Sequence, residues 1–125
     1  MFDHMSIGVK DLARSRGFYD SALGALGYER LSNWDNIMGY GEERARFWVA
    51  EVEHPVPADR QSGLHFCFIA PTKAAVDAFY AAGLANGGED NGPPGVRPEY
   101  GQFYYAAFII DPDGYRLEAF FHLGE

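Results

Sequence analysis

Two histidines and one glutamate are the residues of this sequence best suited to holding a metal ion. His4 and His65 each open a segment that predicts a short strand, and Glu118 lies inside the otherwise apolar segment 115–121. An unpaired carboxylate in such a strand is costly, so Glu118 needs a partner. Arg116, two residues away, is one candidate. A divalent ion shared with the two imidazoles is the other, since two His and one carboxylate leave open positions for a substrate.

The two histidines occupy the same position in an internal repeat. They lie 61 residues apart, and the same offset carries the predicted helix cap Asp11 onto the cap Thr72. Further pairs keep this offset: Phe18-Tyr19 with Phe79-Tyr80, Leu23 with Leu84, and Gly27 with Gly88. Each copy predicts a strand, a helix and then further strands, so the repeat indicates two βαβββ modules.

The predicted fold is therefore α+β, with both modules in a single domain, 1–125. Module one comprises 1–53, a Pro-rich linker follows at 54–62, and module two comprises 63–125. Neither module can bury its sheet face alone. We expect the sheets to meet around a cleft as an open barrel-like sheet, with the helices on the outer faces.

Strand alternation predicts which side chains line that cleft. His4, His65 and Glu118 all lie on the face away from the covering helices. Cys67 shares that face with His65, and Phe120 shares it with Glu118. We interpret Cys67 as a small wall residue that contacts substrate rather than as a nucleophile, because no base is predicted beside it.

Two tyrosines and one arginine are further candidates for contacts with a substrate. Tyr105 is our second candidate catalytic residue beside Glu118, and Tyr104 is a candidate substrate contact; packing is the alternative role for both. Arg97 lies in a long Gly- and Pro-rich loop, 87–98, of the kind that often contacts ligands. It is a candidate for recognising a carboxylate or phosphate, and ordinary surface charge is the alternative.

Composition narrows the classes of partner. The 125 residues carry 10 Lys and Arg against 18 Asp and Glu, a net charge of −8, which argues against nucleic acid and anionic membranes as partners. The longest apolar runs are far shorter than a membrane span, and the N-terminus has no signal pattern. The single cysteine excludes an internal disulfide, so a reducing cytoplasmic setting is expected.

Several of these motifs together resemble the vicinal oxygen chelate superfamily, which includes glyoxalase I, extradiol dioxygenases, fosfomycin-resistance thiol transferases and bleomycin-resistance proteins. The resemblance covers nearly the whole chain. The segments that carry it are 3–12, 15–20, 23–28, 63–66 and 111–118. The most specific is the turn Asp111-Pro112-Asp113-Gly114 followed by Glu118 in the next strand.

The resemblance implies a metal site built from the first and last strands of each module. His4, His65 and Glu118 match three of the family's four ligand positions. The fourth falls on Trp48, where glyoxalases and related epimerases carry Glu or Gln, and Trp cannot bind a metal. A three-ligand set is similar to that of extradiol dioxygenases and fosfomycin-resistance enzymes. Trp48 is either an aromatic wall for substrate at the fourth position or a core residue.

Two functions follow from the resemblance. The first is a divalent-metal-dependent enzyme that chelates vicinal oxygens of a small molecule, as a lyase, isomerase, ring-opening dioxygenase or thiol transferase, with Fe, Mn, Zn or Ni. The second is a metal-free protein that sequesters a drug or metabolite, which the loss of a ligand at Trp48 motivates. A homodimer is expected in either case, and His4 then acts either within its own chain or beside His65 and Glu118 of the other chain.

Overall fold

The first half of the chain forms one complete βαβββ module. The computed structural model describes residues 1–57 and 59–124. Its first five elements are β1 (Met5–Val9), α1 (Leu12–Gly24), β2 (Glu29–Asn33), β3 (Ile37–Gly41) and β4 (Phe47–Glu51). A short 3-10 helix, Arg60–Ser62, follows in the linker.

The second half repeats this order of elements. Its elements are β5 (His65–Ile69), α2 (Lys73–Ala85), β6 (Glu89–Asp90), β7 (Gly95–Val96), β8 (Tyr104–Ile110) and β9 (Arg116–His122). The α+β class and the two βαβββ-like modules are therefore confirmed. The loop predicted after α2 contains two short strands, both paired with β8.

The helix caps lie at equivalent positions in the two modules, as the 61-residue offset predicts. The side chain of Asp11 accepts the backbone N–H of Arg14 at the start of α1. The side chain of Thr72 accepts the backbone N–H of Ala75 at the start of α2. Both caps satisfy a helix N–H that would otherwise lack a partner.

Each module builds its own mixed sheet, and the sheets are not closed into one barrel. The strand orders are β1-β4-β3-β2 and β5-β9-β8-β6. In both sheets the first strand of the module lies at the edge and pairs in parallel with the last strand. Among the described strands, β1 and β5 each have one strand neighbour. Each also accepts a hydrogen bond from a tyrosine of the other module, at Gly8 from Tyr115 and at Ile69 from Tyr28.

Each helix covers one face of its sheet, and the two covered faces share a single hydrophobic core. Phe47 of the first sheet contacts Phe66 and Phe68 of the second, with ring centroids 6.2 and 5.2 Å apart. The helices also pack on each other, where Phe18 of α1 approaches Gly83 of α2. Each sheet therefore leaves its other face without a covering helix.

The turn at 111–114 holds the two modules together. Tyr19 of α1 donates a hydrogen bond of 2.5 Å to the buried carboxylate of Asp111. Asp113 forms an ion pair with Arg14, also on α1, at 3.1 Å. The most specific motif of the sequence therefore contributes to the module interface. In the part of the chain that the structure describes, no helix has the length and apolar character to cross a membrane.

Candidate functional site

A buried carboxylate stands at the centre of the second sheet's uncovered face. Glu118 is only 3% exposed. One of its oxygens, Oε1, lies 3.1 Å from Nε2 of His65, and the other accepts a 2.5 Å hydrogen bond from the hydroxyl of Tyr104. The cost of burying this carboxylate is offset by these two contacts, so Glu118, His65 and Tyr104 form one polar cluster.

Strand register explains why these three residues meet. The parallel pairing of β5 with β9 puts Cys67 directly beside Glu118, and His65 is the next residue along on the same face. Tyr104 is further away in register, since it pairs with His122. The Tyr104 ring stacks on the ring of Phe120, with the two centroids 4.2 Å apart. In this position its hydroxyl extends along the sheet to Glu118.

Burial and the Glu118 carboxylate keep two weak acids protonated, the Tyr104 hydroxyl and the Cys67 thiol. Burial, together with the Glu118 carboxylate, raises the pKa of the Tyr104 hydroxyl. Burial first, and then Glu118, raises the pKa of the Cys67 thiol to about 12. Tyr104 is therefore a neutral hydrogen-bond donor. Cys67 is a thiol rather than a thiolate, as expected for a wall residue rather than a nucleophile.

Arg116 is not the partner of Glu118. Its Nε donates to the backbone carbonyl of Leu64, 3.2 Å away. In the first module the Nε of Arg46 donates to the carbonyl of Asp3 at 2.8 Å. Each of these carbonyls belongs to the residue just before a histidine of the repeat, so an arginine holds the backbone in front of both histidines. Sequence reasoning missed this role. The signal that could have found it is the equivalent spacing in the two modules, since Arg46 lies two residues before Trp48 and Arg116 two residues before Glu118.

The cluster opens into a pocket of about 500 Å³ on the uncovered face of the second sheet. His65, Tyr104 and Glu118 line it together with Arg97 and Arg116. Asn91 and Gly92 of the predicted ligand-contacting loop line it as well, as does Tyr100, whereas sequence reasoning missed Glu99 and Phe108. The alternation of β8 was the signal that could have found Phe108, since it shares a face with Tyr104.

His4 is not brought to this cluster within the chain. Its Nδ1 lies 2.7 Å from a carboxylate oxygen of Asp3, in a different pocket of about 570 Å³. That pocket is also lined by Cys67, Phe47 and Arg46. Within residues 1–57 and 59–124, no group of three His, Cys, Asp or Glu side chains is placed to hold a metal ion.

Two of the predicted ligands nevertheless fit a common ion. Donor atoms bound to one ion at about 2.1 Å and at right angles lie about 3.0 Å apart. The observed separation of Nε2 of His65 and Oε1 of Glu118 is 3.1 Å. A nitrogen and a carboxylate oxygen are also suitable donors for Fe, Mn, Zn or Ni. The described chain therefore supplies two converging donors and lacks a third.

Trp48 occupies in the first sheet the register position that Glu118 occupies in the second, as the face alignment predicted. It pairs with Ser6 of β1, and Cys67, which is the repeat equivalent of Ser6, pairs with Glu118. The indole lies across Gly39, where an added Cβ would come within 2.7 Å of the ring. The half-buried ring thus lies on the uncovered face of its sheet.

The two neighbouring tyrosines of β8 point to opposite faces. Tyr104 faces the pocket, whereas Tyr105 is buried under α2 and donates a hydrogen bond of 2.5 Å to Asp77. The structure therefore does not bring the candidate catalytic residue Tyr105 to Glu118, and Tyr104 lies there instead. Phe120 is on the pocket's face, as expected, and stacks on Tyr104.

Known proteins share this fold and much of this sequence. Residues 1–119 match the family model described as "Glyoxalase/Bleomycin resistance protein/Dioxygenase superfamily". A glyoxalase/bleomycin resistance protein from Albidiferax ferrireducens is 36% identical, with a TM-score of 0.80 over 96% of this chain and 97% of that one. No curated protein matches the chain.

More distant structures support the fold alone. A glyoxalase-related enzyme from Fulvimarina pelagi is 19% identical, with a TM-score of 0.74 over 98% of this chain and 88% of that one. A glyoxalase I variant from Zea mays is 21% identical, with a TM-score of 0.72. The match covers 94% of this chain and 44% of the Zea mays chain.

Proposed function

Because the chain belongs to the glyoxalase/bleomycin resistance protein/dioxygenase superfamily, we propose that it is a divalent-metal-dependent enzyme acting on a small molecule with two adjacent oxygens. One observation carries the proposal. Nε2 of His65 and Oε1 of Glu118 lie 3.1 Å apart at the wall of an open pocket; this is a hydrogen-bond distance, and two donors on one ion would also have this spacing.

The proposal gives each residue of the cluster a distinct task. His65 and Glu118 would hold the ion, and Tyr104 fixes the carboxylate by occupying its second oxygen. When bound, the ion supplies Lewis-acid stabilisation of negative charge on the substrate oxygens. Lyase, isomerase, ring-opening dioxygenase and thiol-transfer reactions all use such stabilisation. A nitrogen and a carboxylate oxygen suit Fe, Mn, Zn and Ni. The single cysteine, Cys67, is typical of a protein in a reducing cytoplasm, where iron would be kept as Fe(II).

The third ligand comes, in this proposal, from a second copy of the chain. His4 and His65 line two different pockets, so they do not meet within one chain. Both sit at edge strands, and Ile69 on the β5 edge is 71% exposed. A two-fold dimer that brings β1 of one chain beside β5 of the other would cover both edges. It would place the partner subunit's His4 near His65 and Glu118.

Metal analysis tests the proposal directly. Protein purified without chelator or metal-affinity resin is expected to contain a divalent ion, or to bind one at micromolar concentration. The His65→Ala and Glu118→Gln variants should lose most of that affinity, and the exposed His54→Ala serves as the matched control. The absence of any bound ion, or wild-type affinity in His65→Ala, would show the proposal to be wrong.

The second candidate function is metal-free binding of a drug or metabolite. It is favoured by the finding that both oxygens of Glu118 already have partners in His65 and Tyr104. Trp48 in place of a fourth ligand points the same way. A ligand that stabilises the protein equally with and without a chelator, and is not turned over, would support this function against the first.

A further inference from the structure

Arg97 is held in the pocket by groups that leave its charge uncompensated. Its Nη1 and Nη2 donate to the backbone carbonyls of Gly95 and Pro93 at 2.9 and 2.6 Å. Its guanidinium also lies over the ring of Phe108, 5.2 Å from the centroid. Two neutral carbonyls and a ring orient the cation without neutralising it, and three of its five N–H donors remain for other partners.

The loop is shaped around this guanidinium. An added Cβ at Gly92 would come within 3.2 Å of Nη2, and one at Gly95 within 3.1 Å of Nη1. The φ of Gly92 is +141°, which other residues rarely adopt. These two glycines therefore make room for Arg97, and they explain why the predicted loop is rich in glycine at this point.

Arg116 brings a second cation to the same pocket. Its Nε is used by the carbonyl of Leu64, which leaves the Nη groups available. Among the described residues, neither Arg97 nor Arg116 has a carboxylate within 4 Å. Glu118 is engaged by His65 and Tyr104. The other acid of the pocket, Glu99, is exposed at its rim and makes no ion pair with either arginine.

We infer that Arg97 and Arg116 form an oxyanion-binding subsite, so that the substrate is a small molecule carrying a carboxylate or phosphate group. Oriented guanidinium groups without a carboxylate partner are the usual protein ligands of such anions. The inference rests on the proposed function, because the subsite shares its pocket with His65 and Glu118. The anionic group would hold the substrate at the loop while its adjacent oxygens face that pair.

Thermal unfolding of the full chain, as purified and with its metal content measured on the same sample, tests the subsite. Sodium succinate and sodium phosphate are the two probes, titrated separately at constant ionic strength. A ligand that binds the folded chain raises the unfolding midpoint in a saturable manner. We expect saturation with at least one anion, and the tighter of the two identifies the group that the subsite recognises.

Three variants separate binding from structure. Arg97→Gln should weaken the apparent affinity roughly tenfold or more. Arg97→Lys keeps the charge and loses the planar guanidinium that bonds the two carbonyls and stacks on Phe108, so it should weaken the affinity by a factor no larger than Arg97→Gln does. Arg30→Gln removes an arginine that is paired with Asp20 at 2.9 Å, and it should change the affinity less than about twofold. If Arg97→Gln unfolds too easily to titrate, Arg116→Gln provides the second test.

The subsite and the proposed function fail in different ways. No saturable shift with either anion, or an unaffected Arg97→Gln, would each overturn the subsite. Binding of Mn(II) by Arg97→Gln is expected at wild-type affinity. A chain that binds metal and no anion keeps the proposed function and loses the subsite. A chain that binds anions through Arg97 and binds no metal keeps the subsite and loses the metal-dependent function.

Discussion

Trp48 occupies in the first sheet the register position that Glu118 occupies in the second. Trp48 pairs with Ser6, and Glu118 pairs with Cys67, which is the repeat equivalent of Ser6. The two modules therefore present the same backbone frame with different chemistry: a carboxylate with polar partners in one, and an indole packed on Gly39 in the other. This asymmetry leads to the first prediction.

Trp48→Glu is expected to add a fourth ligand to the proposed metal site. It adds an anionic oxygen at the equivalent of Glu118, so Mn(II) or Zn(II) should bind roughly tenfold tighter. Trp48→Phe is the matched control, since it removes the indole without adding a ligand. Calorimetric titration of both variants measures the effect, and equal affinities in the two would contradict a metal site at this position.

Subunit complementation is expected to restore metal sites that two separate variants have lost. His4→Ala and His65→Ala homodimers should each bind little metal. In an equal mixture of exchanged subunits, half of the dimers are mixed and carry one intact site of two. About a quarter of the wild-type metal content should therefore return.

The mixture also distinguishes a shared site from one within a single chain. Mixed dimers are identified by mass on differently tagged chains before the metal is measured. If mixed dimers form and no metal returns, the proposal that the partner subunit's His4 completes the site is wrong.

The stability of the protein is expected to depend on pH through Asp111. Burial raises its pKa from 3.8 to about 6, against the opposing effect of the hydrogen bond from Tyr19. The folded chain therefore holds this proton more tightly than the unfolded chain. The contribution of Asp111 to the free energy of unfolding is greatest below about pH 4 and falls by roughly 2 to 3 kcal/mol as the pH rises through 6.

Asp111→Asn isolates this effect, because its amide keeps the shape and does not titrate. Relative to wild type, the variant should gain roughly 2 kcal/mol between pH 4 and pH 7, measured by urea unfolding. Asp35→Asn, at an exposed bend, is the matched control for the loss of one carboxylate. A pH-independent difference for Asp111→Asn would show that Asp111 is not the titrating group.

Two glycines inside the helices are expected to respond in opposite ways to alanine. Gly17 in α1 faces open space, so Gly17→Ala should raise the free energy of unfolding by roughly 0.5 to 1 kcal/mol through helix propensity. Gly83 in α2 has the δ-methyl of the fully buried Ile109 within 2.5 Å of an added Cβ. Gly83→Ala should therefore lower it by about 1 kcal/mol, since overpacking outweighs the propensity gain.

Denaturant unfolding of the two variants side by side measures both changes. Both variants replace a glycine inside a helix with alanine, so they differ only in the surroundings of the added methyl group. Equal effects at the two positions would mean that Ile109 of β8 does not approach α2 at Gly83 as the structure describes.

Local pattern was sufficient to predict the modules and their register. The helix caps Asp11 and Thr72, the offset of His4 and His65, and the alignment that put Trp48 opposite Glu118 were all readable in the sequence. Caps, turns and strand alternation depend on neighbours a few residues away. A repeat in the sequence therefore predicts the caps, turns and strand faces of both modules.

The partners of the charged and polar side chains were not predictable in this way. Tyr104 rather than Tyr105 reaches Glu118, because the phase of the β8 pleat decides which of the two neighbours faces the pocket. Arg116 bonds a backbone carbonyl instead of Glu118. In the sequence, Arg97 is one of several charged residues of the loop. Its contacts with two backbone carbonyls, and the space left for it by Gly92 and Gly95, are visible only in the structure.

The sequence by itself determined two copies of one module and the residue types at their equivalent positions. Only the tertiary structure decided that the covered faces share one core, and that His4 and His65 line two different pockets. The physical reason is that alternation assigns each side chain to a face of its own strand. How two sheets pack against each other depends on burial summed over the whole core, which no local pattern records.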